Sequence, residues 1–139
     1  MPILLRVRIY LCRHAHASSG DQDELRELSA QGREQADALG LALAGLAEPP
    51  HLVLSSPVRR AQQTAAAIGR ATGAPVRVDS SLAPGATLDD LTEAVEGERG
   101  PVATVGHQPD CSEIVIALTG RDPGFPAAGM VELELGIGS

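Results

Sequence analysis

The sequence predicts an α/β fold, a three-layer α/β/α sandwich around a mostly parallel central sheet. Three observations lead there. Short apolar runs rich in β-favouring residues alternate along the chain with stretches of helical periodicity, in the order β-α-β-α-β-α-β-α-β. Strands joined through helices pair side by side in parallel and bury both sheet faces. The 139 residues are 43% hydrophobic and 21% charged, the balance of one soluble globular domain spanning 1–139, with no linker and no repeat.

Val7 to Cys12 is read as a buried strand, ending in Arg13-His14-Ala15-His16. A polar loop runs from Ser18 to Glu27, and its acidic residues are read as a solvated face. Ser29 is the N-cap of a helix over 30–46, because Ala36, Leu39, Leu43 and Leu46 recur at spacings of three and four. Glu48-Pro49-Pro50 stops it. Leu52 to Leu54 is a second strand, ending at Ser55-Ser56. Pro57 suits the first turn of a helix capped by Ser56, which runs to about Thr72 and closes at Gly73. Val76 to Val78 is a weak strand, and Asp79 to Ala86 is a loop containing Pro84-Gly85. Thr87 and Asp90 suit a capping box for a helix to about Gly97. Pro101 to Val105 is a strand ending at Gly106-His107, and Asp110 with Glu113 reads as a capping box for a helix to Leu118. Gly120 to Gly129 is a turn-rich loop. Met130 to Leu135 alternates, with Glu132 and Glu134 on one face, as a half-exposed last strand does.

All eleven basic residues are Arg, the net charge is -7 and the pI is about 4.9. That balance disfavours a nucleic-acid binder, which needs a basic face. Any anion site must be a local arginine cluster. Cys12 and Cys111 give neither a disulfide framework nor metal-ligand spacing, so a reducing cytoplasm is expected. No apolar run reaches transmembrane length, and Arg6 and Arg8 interrupt any signal-peptide pattern in Met1 to Arg8.

The chemistry concentrates in three segments, 13–16, 56–60 and 106–110, each following the end of a predicted strand. In open α/β sheets ligands bind at that edge, so the three can converge. Arg13 offers a planar fork for phosphate oxygens and neutral His14 an imidazole lone pair. Arg59 and Arg60 point about a hundred degrees apart on a helix, so at most one faces the site. His107 follows a glycine that permits close backbone approach. Each segment alone also reads as an ordinary strand end or capped surface helix.

Together the segments resemble the histidine phosphatase superfamily, the relatives of phosphoglycerate mutase. Leu11-Cys12-Arg13-His14-Ala15 resembles its Arg-His-Gly motif, with Ala15 in place of Gly. Leu28-Ser29-Ala30-Gln31-Gly32-Arg33-Glu34-Gln35-Ala36 is similar to its Leu-Thr-x-x-Gly-x-x-Gln-Ala helix start. Ser56 to Thr64 resembles its Ser-Pro-x-x-Arg-Ala-x-Gln-Thr stretch, which selects Arg60 over Arg59. Val105-Gly106-His107 resembles the motif of its second histidine. The resemblance implies a phosphoglycerate mutase-like fold, with His14 as covalent nucleophile and Arg13, Arg60 and His107 holding the phosphoryl oxygens. His107 is expected to work protonated. His16 and Ser56 are further substrate-binding candidates. No metal and no cofactor are expected.

Chain length and His107-Gln108-Pro109 bring the SixA-type phosphohistidine phosphatases nearest. Larger superfamily members carry a proton-donating Glu where Pro84 stands here. An ester expels a poor alkoxide and needs such an acid, whereas protonated phosphohistidine expels neutral imidazole. The expected substrate is therefore phosphohistidine on a signalling or phosphotransfer protein, with inorganic phosphate as product. The alternatives are a small-molecule phosphomonoesterase of the same superfamily and a non-catalytic phosphate- or phosphoprotein-binding module. A cysteine phosphatase needs Arg six positions after its Cys, where Ser18 and Ala117 stand. A metal hydrolase built on His14 and His16 lacks an evident set of further ligands.

Overall fold

The computed structural model describes residues 4–138. Residues 1–3 and 139 lie outside it, and with them the start of the Met1–Arg8 segment and the outermost ends of the expected 1–139 domain. Five strands form one sheet: β1 Leu4–Arg13, β2 Leu52–Ser55, β3 Val76–Val78, β4 Val102–Gly106 and β5 Met130–Gly138. Their spatial order is β3-β2-β4-β1-β5. The first four are parallel, and β5 runs antiparallel to β1. Four helices connect them: α1 Ala30–Ala44, α2 Arg59–Thr72, α3 Leu88–Ala94 and α4 Asp110–Thr119.

Period-two alternation along the strands splits the core into two layers. Tyr10, Cys12, Val53, Ala103 and Val105 meet Leu39, Leu43, Ala61, Ala65 and Ile68 of α1 and α2. Val7, Ile9, Leu11, Leu52, Leu54 and Val102 meet Leu91, Val95, Ile114 and Val115 on the other face. Both faces are covered, so β2 reads as a continuous apolar run rather than an alternating one. The scarcity of aromatics has a packing counterpart: a Cβ on Gly40 of α1 would stand 2.8 Å from the Ala67 carbonyl oxygen of α2, so these helices meet at small residues.

Several boundaries differ from the sequence reading. β1 and β5 are longer because they zip against each other, with Arg8 opposite Glu134 and their charged groups 3.5 Å apart. α2 begins at Arg59, not Pro57, and its N-cap is Val58 with no side-chain cap bond. Ser56 therefore does not cap it. The Asp110–Glu113 box is also absent: Pro109 is the N-cap of α4. The Asp110 carboxylate instead accepts a hydrogen bond from Gly85 N at 2.8 Å, tying the Pro84-Gly85 loop to the turn after His107. Ser29, accepting from Gly32 N, and the Thr87–Asp90 box cap as expected. So does Gly73, left-handed at φ 76° at the end of α2.

Candidate active site

β2, β4 and β1 are neighbours, and their carboxyl ends are level. Arg13 pairs with Gly106, and Ser55 with Val105. The segments after these strands therefore leave the sheet side by side, as their positions in the sequence led us to expect.

His14 is pinned by its backbone before its ring is considered. Its N–H donates to the Gly106 carbonyl at 3.0 Å, and its own carbonyl accepts from Ala128 N at 3.1 Å. The ring Nδ1 lies 2.7 Å from the Ala15 carbonyl oxygen. A carbonyl only accepts, so Nδ1 carries the proton and the neutral ring presents its lone pair at Nε2. Arg60 Nε donates to that Nε2 at 3.2 Å, which fits the same tautomer. Burial pulls the imidazole down to about 4, against the Ala15 hydrogen bond and with help from the charges of Arg60, His107 and Arg13. His14 is thus neutral across the physiological range, with its lone pair facing a guanidinium.

Arg60 is the buried one of the adjacent pair Arg59-Arg60, its side chain 8% exposed. Arg59 points outward to Glu27 at 3.6 Å. The β1 end is locked to the turn that carries Arg60: Thr64 Oγ1 accepts from Ala15 N at 3.0 Å and donates to the Arg60 carbonyl at 2.9 Å. The far end of the guanidinium donates twice to one residue, through Nη1 to the Asp23 carbonyl at 2.8 Å and Nη2 to the Asp23 carboxylate at 3.2 Å.

His107 lies beside His14, with ring centroids 5.3 Å apart. Its Nε2 is 2.7 Å from Ser56 Oγ, and its buried Nδ1 has no partner among the described residues. Burial, followed by the Arg60 charge, lowers its pKa to about 4, with Asp23 opposing. In the protein alone His107 is therefore neutral at pH 7, which departs from the expectation that it works protonated. Arg13 donates through Nη1 to the Phe125 carbonyl at 2.7 Å, and its Nε is buried and unpartnered.

His14, Arg60, His107 and Ser56 form one connected group. Ser56 is fully buried and reaches the site through His107. His16 is exposed in the loop between β1 and α1, and its ring bonds Ser29 Oγ, the N-cap of α1, at 2.6 Å. Two motif glutamines hold that loop by its backbone: Gln35 accepts from His16 N at 2.9 Å and Gln63 from Leu28 N at 2.7 Å. A Cβ on Gly32 would overlap the His16 carbonyl, so the motif glycine allows α1 to approach. Asp23 was missed by sequence reasoning, because an exposed acidic residue in a polar loop carries no sign of its partner. The one trace is its position three residues before Arg26, which it also pairs at 3.1 Å.

Both cysteines are buried and their thiols are pushed up, Cys111 to about 12, so they are core side chains rather than nucleophiles. Among the described residues no group of three or more His, Cys, Asp or Glu is placed to hold a metal ion. What the arrangement offers is an imidazole lone pair against the Arg60 guanidinium and beside a second imidazole, the chemistry of attack on a phosphoryl group.

Comparison with known proteins agrees. The sequence model of the histidine phosphatase superfamily (branch 1) matches residues 9–84. A glucosyl-3-phosphoglycerate phosphatase of Mycolicibacterium vanbaalenii is 41% identical over 80 residues, covering 54% of this chain and 35% of that relative. The match thus spans little more than a third of the relative's length. The SixA structure of Agrobacterium tumefaciens, provisionally assigned as a phosphohistidine phosphatase, has a TM-score of 0.79 and 29% identity over 91% of this chain and 90% of that one. A protein histidine phosphatase SixA solved with tungstate has a TM-score of 0.82 over 95% and 94% of the two chains, and at 23% identity it shows the shared phosphoglycerate mutase-like fold.

Proposed function

The chain belongs to the histidine phosphatase superfamily, and we propose that within it the protein hydrolyses phosphohistidine on a phosphotransfer or signalling protein, through a covalent intermediate on His14. The observation that carries the covalent step is the tautomer of His14, with Nδ1 bonded to the Ala15 carbonyl and Nε2 unprotonated, its lone pair accepting from Arg60 Nε until a phosphoryl group takes that donor's place. In the first step that pair forms a bond to phosphorus while the bond from phosphorus to the substrate ring nitrogen breaks. The bonding electrons return to that nitrogen. Because the ring's other nitrogen already carries a proton, the ring departs as neutral imidazole. In the second step a water oxygen attacks phosphorus, and the electrons of the His14–phosphorus bond return to Nε2. Phosphate leaves and the spare proton goes to solvent. Arg13 and Arg60 hold the phosphoryl oxygens. The phosphoryl dianion beside His107 favours its protonated form, restoring a third positive group during the reaction.

The P–N substrate is supported by the loop at Leu82–Gly85. Pro84 stands at the position of the acid, and the adjacent carboxylate, Asp110, is bound to Gly85 N. A second reading has its own support, since the M. vanbaalenii relative is a phosphatase of a small phosphorylated molecule. That makes a phosphomonoesterase the alternative. Radiolabelled phosphohistidine peptide and 3-phosphoglycerate, each mixed with wild type and His14→Ala, separate the cases. The proposal expects an acid-labile phosphoenzyme and fast release from the peptide, both lost in His14→Ala. Equal or faster turnover of the ester favours the second reading. Phosphate binding without turnover of either leaves a binding module. Among the described residues no helix is long and apolar enough to cross a membrane. The proposed cytoplasmic location rests instead on the two cysteines, which are free thiols.

A further inference from the structure

Arg60 is held at both ends. Its Nε meets His14, while Nη1 and Nη2 both meet Asp23. The Asp23 side chain is 61% exposed against 8% for Arg60. A carboxylate on the solvent side thus sits on the guanidinium that the phosphoryl group needs. Its other oxygen bonds Arg26, whose Nε donates to the Ser18 carbonyl at 2.8 Å. The loop is closed at its neck by Ser18 N to Glu27 O at 2.8 Å and by the Ala17–Leu28 bridge. Asp23 is therefore placed by a built loop. Arg26 first, and Arg60 next, hold its carboxyl below the usual range, so it is charged at neutral pH.

We propose that Asp23 is a specificity-determining residue, whose carboxylate on Arg60 disfavours multiply anionic phosphate esters and favours a phosphoryl group carried on a cationic ring. The physics is competition and charge. A phosphoryl oxygen approaching Arg60 meets N–H groups already donating to Asp23. A negative charge one residue beyond the guanidinium also weakens its pull on a dianion. A substrate with a second anionic group, such as a phosphorylated carboxylic acid, suffers more. Protonated phosphohistidine suffers less, because its ring is positive, and a nearby carboxylate favours that protonated form, the one that releases neutral imidazole. The proposal rests on Arg60 being a phosphoryl ligand, and it deepens the phosphohistidine reading.

Asp23→Asn removes the charge and the Arg26 bond while keeping the Arg60 contacts, since the amide oxygen can still accept from Nη2 and the backbone carbonyl still accepts from Nη1. The first measurement is calorimetric binding of inorganic phosphate, which needs no turnover. Phosphate should bind on the order of tenfold more tightly to Asp23→Asn. The second is kcat/KM for a phosphohistidine peptide against 3-phosphoglycerate, where the ratio should fall by a similar factor. Unchanged or weaker phosphate binding overturns the proposal and makes Asp23 a prop for the Arg60 side chain. An unchanged ratio overturns the selectivity. Tighter phosphate binding and a lower ratio, in a wild type that favours the ester, keep Asp23 as the charge filter while the phosphohistidine assignment fails. Arg60→Ala, with no phosphate binding lost, removes the premise and the proposal together.

Discussion

His14, Ser56 and His107 leave the ends of three adjacent buried strands, whereas Asp23 and Arg26 ride on a loop whose side chains largely face water. The two halves meet at Arg60, which touches both. On the strand side, position is set by sheet register and burial: one-residue slips would turn the apolar faces of β1 and β4 to the wrong layers. On the loop side, position is set by hydrogen bonds and ion pairs that water can replace. The strand half supplies the proposed nucleophile and its fixed orientation. The loop half supplies a charge that can be moved away. Changes in the strand half should therefore alter the rate of the chemical step, and changes in the loop half should alter which phosphate binds.

The largest effect tests the strand half directly. His14→Ala removes the proposed nucleophile and should lower kcat by on the order of 10⁴-fold, with no phosphoenzyme on acid-quenched gels. Phosphate binding should persist in that variant through Arg13 and Arg60. Retention of full turnover would end the covalent mechanism.

Next comes Ser56. Its hydroxyl, fully buried, accepts from Val58 N at 3.3 Å and meets His107 Nε2 at 2.7 Å. Ser56→Ala leaves both ring nitrogens of His107 without a protein partner, adding to the Nδ1 that already has none. We expect kcat to fall about 10- to 100-fold with KM changed far less, the loss of one buried hydrogen bond of about 1–3 kcal/mol. Ser56→Thr, which keeps the hydroxyl, should recover part of the rate if its added methyl is accommodated. A KM effect alone would instead make Ser56 a substrate ligand, its role in the sequence reading.

Gly32 probes the seam between the halves. A Cβ there meets the His16 backbone, which has no flexible end to swing aside. Gly32→Ala should destabilise the protein by about 1–3 kcal/mol in denaturant melts, and it should shift the loop that carries Asp23. A variant of unchanged stability would show that α1 has room to move.

The strand half was readable because its signals are local and typed. A strand ending in Arg13-His14, a Ser-Pro turn before Arg60 and a Gly before His107 each announce their own position, and alternation places all three at one edge. Reading failed where a side chain serves a distant partner. Ser56 resembled a helix cap, but its hydroxyl is taken by a histidine 51 positions away. Asp110 resembled a cap as well, and it holds Gly85 instead. Asp23 looked like one more solvated acid. The exposure that makes it selective is also what hid it, because exposed loop residues leave no periodicity. The lengths of β1 and β5 were missed for a related reason: each extends only because the other is there.

The smallest effect concerns pH, and it separates the halves once more. Both site histidines sit at about 4 in the folded protein, against an ordinary value of 6.5. Their folded values are lowered, so the unfolded chain binds protons that the folded chain refuses. The stability tied to their neutral state is whole above pH 6.5. It is lost as pH falls from there toward about 4. Near pH 5 unfolding should take up about two protons from this pair, and about one in His14→Ala. Melting temperature against pH should therefore slope down on the acid side less steeply in His14→Ala than in wild type. Asp23, held low by Arg26 and Arg60, titrates below the ordinary carboxylate value of 3.8, so Asp23→Asn should leave the upper part of that slope, nearest 6.5, unchanged and alter only its acid end, where Asp23 itself and its support of the His107 proton come in. Equal slopes in wild type and His14→Ala would mean that His14 takes up its proton in the folded protein as readily as in the unfolded chain, near 6.5, so that burial does not keep the ring neutral on the acid side.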